Sequence, residues 1–160
     1  MLGKTIEEIK VGDSADFTKS VTGYDVYSFA GITGDYNPTH VNNVFAKDTS
    51  YGKTVAHGLL SIGFISNVLG TQLPGPGSIT IGLDCNFLQP VFIGDTITAN
   101  VRVTKVDEER NRVWLRTFVT NQRGELVIDG EAKMMPVAKQ MKEAAIQQQE
   151  MINNSLGIGK

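Results

Sequence analysis

The chain has 160 residues, 41% apolar and 20% charged, with a formal net charge of −2, which fits a self-supporting globular unit and leaves neither the charge excess of a disordered chain nor the basic patch that nucleic acid requires. Cys85 is the single cysteine, so an intramolecular disulfide and a thiolate-built zinc site are excluded and a reducing cytoplasm is the expected setting. The opening MLGKTIEEIKVGD carries acids and no apolar core of signal-peptide length, and nowhere do about 18 apolar residues run together, so neither secretion nor a membrane span is expected.

In chain order, SADFTKSV (14–21) alternates, with Ala15, Phe17 and Val21 on one parity, and reads as a half-buried strand. Thr22 followed by Asp25 resembles a capping box opening a helix over 23–32. Pro38 disfavours the α conformation at Asn37, so DYNP is extended or a turn, and a short helix over 43–49 follows. AHGLLSIGFISNVLG (56–70) is apolar on nearly every face and ends at Gly70, a natural C′ residue. Such a helix must be wrapped by other structure. Four strand-like stretches follow the PGPG loop, at 79–88, 95–106, 112–121 and 125–135. Ile97, Ala99, Val101 and Val103 share one face of the second, and Val113, Leu115, Thr117 and Val119 one face of the third. An α+β assembly, an antiparallel meander around one long buried helix, is the economical arrangement. It occupies residues 1–136, with 137–160, rich in Ala, Gln, Lys and Glu, forming a C-terminal helix or tail.

TGDYNPTH (33–40) sets Asp35, Asn37 and His40 around a proline turn. A carboxylate and an imidazole converging on one volume can hold a water and exchange protons with it near neutral pH. The alternative is that Asp35 or Asn37 caps a helical turn and His40 is incidental. Gly58, after His57, stands where a helix begins, and its N–H can meet a ligand oxygen in the positive potential of the helix start; equally, it can serve close packing. His57 reads as a helix-flanking polar residue. Ser61, Ser66 and Asn67 lie within the helix; Ser66 is about 12 Å beyond Gly58 along its axis, and its ordinary partner is the Ile62 carbonyl. No G-x-S-x-G elbow and no phosphate loop occurs, and Cys85 reads as a small buried residue.

TGDYNPTH, AHGLL (56–60), GTQLPGPGS (70–78) and FLQPVFIGDTI (87–97) together resemble the MaoC-type (R)-specific enoyl-CoA hydratases of the hot-dog fold, over about residues 14–136. The resemblance implies reversible syn addition of water to a trans-2-enoyl-CoA, giving an (R)-3-hydroxyacyl-CoA. It assigns Asp35 and His40 as the catalytic pair and the Gly58 N–H as donor to the thioester oxygen. It also places Ser66 in the acyl pocket and Asn37 in the substrate-binding motif. No metal or cofactor is implied, coenzyme A entering as part of the substrate, and a homodimer or higher oligomer is expected. Lys47, Lys53, Arg102 and Arg116 are the cations available to the coenzyme A phosphates. A hot-dog thioesterase and a non-catalytic acyl-CoA or acyl-carrier-protein binding module are the alternatives.

Overall fold

The computed structural model describes residues 2–157. A 3-10 turn precedes β1 (Ser14–Ser20), which leads into α1 (Gly23–Thr33), α2 (Pro38–Val41), α3 (Asn43–Lys47) and α4 (Gly58–Thr71). β2 (Ile79–Phe87), β3 (Thr96–Asp107), β4 (Arg112–Asn121) and β5 (Leu126–Met135) follow, then α5 (Lys139–Ser155). The capping box forms as the sequence predicts: the Asp25 N–H donates to the Thr22 hydroxyl at 3.3 Å, and the Thr22 N–H returns a bond to Asp25 Oδ2 at 2.8 Å.

The sheet runs β1-β3-β4-β5-β2, each neighbouring pair antiparallel. The rows read from alternation form the core. Ile97, Ala99, Val101 and Val103 on β3, and Val113, Leu115, Thr117 and Val119 on β4, face Phe64, Ile65, Val68 and Leu69 of α4 in one apolar cluster with only the Thr117 hydroxyl intervening.

Three expectations are corrected. Only β3, β4 and β5 form a meander; β2 does not pair with β3 but lies at the opposite edge, against β5. The link from 88 to 95 contains Pro90 and is no hairpin turn: it carries the chain across, and Phe92 bridges to Val55 on the way. Nor is α4 wrapped on all sides. Ser61, Phe64, Ile65, Val68 and Leu69 are buried, whereas Leu59, Gly63, Ser66 and Gly70, spaced four, three and four apart, form an exposed stripe. These outward residues are small or apolar, so no polar face marked them. Gly70 is not the terminator either, because α4 continues to Thr71 and stops ahead of Pro74.

β2 closes one edge of the sheet. Ile79, Ile81, Leu83 and Phe87 are exposed along this edge strand, from 39% to 54%. In α5 no residue is buried, and the Lys142 ammonium reaches Glu8 Oε2 at 2.6 Å.

Candidate active site

α1 ends at Gly34, whose φ of 76° lies in the left-handed region that glycine occupies without strain. The chain then turns sharply. The Asn37 N–H donates to Asp35 Oδ1 at 3.2 Å, and Asn37 Oδ1 accepts from the Thr39 N–H at 3.1 Å, capping α2 with Pro38 at its start. Asn37 therefore orders the turn, the duty its position in a proline motif suggests. The Asp35 carboxylate stays half exposed, at 51%.

The turn delivers His40 to the Val55 carbonyl, which lies 2.8 Å from its Nδ1. A carbonyl can only accept, so Nδ1 carries the proton and the neutral ring has its free lone pair on Nε2. His57 is fixed in the opposite sense. Its Nε2 lies 2.9 Å from the Asp35 backbone carbonyl and must bear the proton there, with the Asp35 carboxylate 3.9 Å away. The two imidazoles are stacked at a tilt, centroids 4.0 Å apart and planes inclined by 31°, and the Phe29 ring also packs on His57, centroids 4.9 Å apart.

Asp35 and His40 thus do meet, and His57 joins them: one donor atom from each lies within 4.8 Å of the other two. Such a set has the composition of a cation site, but the His57 nitrogen facing Asp35 is protonated and cannot ligate. Water held between a carboxylate and the bare Nε2 of His40 suits the donors better. His57, 2% exposed, is the residue that sequence reasoning missed. Its partner is a carbonyl 22 positions away, which no local spacing encodes.

Gly58 is the first residue of α4, so its N–H has no partner within the helix. A Cβ at this position would come within 2.5 Å of the Phe87 ring, so any larger residue would have to displace that half-exposed side chain. A cavity of about 310 Å³ opens beside it, walled by Val55, Gly58, Ser61, Phe87, Val91 and Ile128 among others. Ser61 is 1% exposed and its hydroxyl has no hydrogen-bond partner. Ser66 is not in this wall; it lies on the exposed stripe of α4. Cys85 sits partly buried on β2, and burial pushes its thiol above the ordinary pKa, which favours the protonated form over the thiolate.

Comparison with known proteins places the chain in a family. A family model described as a MaoC like domain matches residues 8–122. An (R)-specific enoyl-CoA hydratase of Rhodospirillum rubrum is 48% identical over 133 residues, which is 83% of this chain and 92% of that protein. A 3-hydroxybutyryl-CoA dehydratase of Methylorubrum extorquens is 44% identical over 126 residues, 79% of this chain and 80% of that one. Among solved structures, the unliganded R-hydratase PhaJ1 of Pseudomonas aeruginosa superposes with a TM-score of 0.81 at 37% identity, covering 86% of this chain and 88% of its own. The α+β architecture is the hot-dog fold expected from the sequence.

Proposed function

The chain belongs to the MaoC-like domain family, and from that membership we propose that it is a hydro-lyase catalysing the reversible hydration of trans-2-enoyl-CoA to (R)-3-hydroxyacyl-CoA. The activities of its relatives support the reaction class. The observation that carries the reading to individual residues is that Asp35 and His40 bring donor atoms within 4.8 Å of each other while His40 Nδ1 bonds the carbonyl of Val55, a residue of the wall that Gly58 also lines; the Asp35 and His40 side chains themselves stand outside that wall.

Hydration of an enoyl thioester needs a base for water, an acid for the α-carbon and a donor for the carbonyl oxygen, which gains charge as the β-carbon is attacked. Asp35 and His40 Nε2 hold the water between them. As its oxygen bonds to the β-carbon, one proton passes to the pair and one returns to the α-carbon on the same face, so that water's atoms are all accounted for in the product. The Gly58 N–H, in the positive potential of the α4 start, stabilises the enolate oxygen. No cofactor is required, since coenzyme A is part of the substrate. Of the cations named above, Arg116 is already paired with Asp129 at 2.9 Å, whereas Lys53 lies over the Phe92 ring, two residues before Val55 of the cavity wall. Lys53 is our candidate for the coenzyme A phosphates. Ser66 is proposed as an acyl-chain contact from its position in the family motif alone; it lies on the outward face of α4, outside the cavity beside Gly58.

The same proposal includes a homodimer. Its support is the exposed apolar row of β2, an edge strand, together with the uncharged stripe of α4 and the exposure of every residue from 31 to 38. A second copy pairing along β2 would cover such a surface. No described helix is long and apolar enough to cross a membrane; a cytoplasmic setting belongs to the proposal and rests on the lone thiol.

Crotonyl-CoA tests the function directly: the conjugated-thioester absorbance disappears with wild type and persists with Asp35→Asn and His40→Gln. A thiol-reactive dye run in parallel stays silent, since its response would mean thioester hydrolysis instead. An inert wild type, or variants as fast as it, would end the reading. Light scattering at assay concentration is expected to return twice the chain mass or more, and a monomer would remove the dimer.

A further inference from the structure

Ser61 has a hydroxyl that the fold does not use. A serine or threonine inside a helix ordinarily returns its hydroxyl to the carbonyl four residues back. Thr33 does so to Phe29 at 2.8 Å, and Thr71, in the same helix as Ser61, to Asn67 at 2.7 Å. Ser61 makes no such bond to His57, nor any other, although it is almost wholly buried. A buried hydroxyl without a partner is destabilising, and native proteins keep few of them. This one stands in the wall of the cavity that Gly58 also lines.

We propose that the Ser61 hydroxyl is a second donor to the substrate's thioester oxygen, completing with the Gly58 N–H a two-donor oxyanion site; the inference rests on the hydratase reading above. Ser61 is three residues after Gly58, so the two share one face of α4, and a helical side chain leans toward the preceding turn, here toward the Gly58 N–H. A carbonyl oxygen has two lone pairs near its plane. With the N–H of Gly58 on one, the other would be buried against an apolar wall unless a second donor met it. Among the described residues, the only other buried orphan beside this helix start is His57 Nδ1. Its ring proton is committed to the Asp35 carbonyl through Nε2, so Nδ1 is an acceptor and would repel an oxyanion. Of these two orphans, Ser61 is the one with a proton to give.

Ser61→Ala removes the hydroxyl and leaves a good helix former. With crotonyl-CoA, kcat should fall roughly 10²-fold, the usual size for one oxyanion donor, while KM moves less than about twofold, as for an interaction made in the transition state. A second readout is 4-dimethylaminocinnamoyl-CoA, whose absorption shifts to the red when its carbonyl oxygen is polarised on binding. That shift should be largest for wild type, smaller for Ser61→Cys and smallest for Ser61→Ala, with melting temperatures recorded for each. Ser61→Ala hydrating at the wild-type rate with an undiminished red shift overturns the proposal. So does activity lost only in step with stability while the red shift stays level across the series. A wild type inert toward enoyl-CoA would instead count against the hydratase reading, and the red-shift series would still decide whether Ser61 polarises a bound thioester.

Discussion

Ile97, Ala99, Val101 and Val103 on β3, and Val113, Leu115, Thr117 and Val119 on β4, are all at or below 1% exposure, whereas residues 31–38, which carry Asp35, are all exposed. The first region is held by repetition: each side chain adds burial to a row that its neighbours also define. The second is held by single bonds at particular atoms, namely Asn37 N–H to Asp35, His40 Nδ1 to the Val55 carbonyl and His57 Nε2 to the Asp35 carbonyl. A repeated contact distributes its energy and is forgiving of where any one atom lies. A single contact fixes one atom and contributes little to stability. Folding and chemistry should therefore separate when the two regions are changed.

His40→Gln sharpens the contrast most. Glutamine can still donate to the Val55 carbonyl but offers no imidazole nitrogen at the water, so hydration should fall about 10² to 10⁴-fold, the ordinary worth of acid-base assistance, with the melting temperature almost unmoved. Leu115→Ala is the opposite experiment. Leu115 is fully buried between Val103 and Ala132 on the neighbouring strands, and its truncation should cost about 2 to 5 kcal/mol of unfolding free energy, with kcat per folded molecule unchanged. Chemical denaturation and active-site titration measure the two quantities separately. If His40→Gln melted early, or Leu115→Ala lost kcat while folded, the division would fail.

The same division explains what could be read in the sequence. β3, β4 and the start of α1 were legible because alternation and a Thr-to-Asp capping spacing are local patterns. Asp35, His40 and Gly58 were legible as a motif, and the structure brings the first two together. The neighbour of β2 was not legible, because strand order depends on where the 88–95 link goes rather than on the strands it joins. The outward face of α4 was hidden for a different reason: Leu59, Gly63, Ser66 and Gly70 include no charge, so the helix looked buried all round. His57 and Ser61 escaped because their significance lies in partners that are distant or missing. His57 bonds a carbonyl 22 residues back, and Ser61 bonds nothing.

Asp25 belongs to neither region and so probes the join between them. It begins α1, the helix whose end sets Gly34 and Asp35 in place. Burial acts to raise its pKa, but hydrogen bonds from Lys19 and from the Thr22 hydroxyl and N–H outweigh burial and leave the carboxyl below its ordinary value. A carboxyl lowered on folding stabilises above its unfolded pKa, about 3.9, and that contribution is lost as pH falls through the folded value. Asp25→Asn should therefore cost about 1 kcal/mol at neutral pH, the size of a lost cap interaction, and its deficit relative to wild type should shrink below about pH 4 as the wild-type carboxyl takes up its proton. Asp13, held low chiefly by Lys4, titrates in both proteins and cancels in the difference. If kcat at neutral pH stays at the wild-type level, the position of Asp35 is set by its own turn and by His57. A parallel fall in kcat would show instead that the start of α1 also holds the site in register, and would join the two regions that the other variants separate.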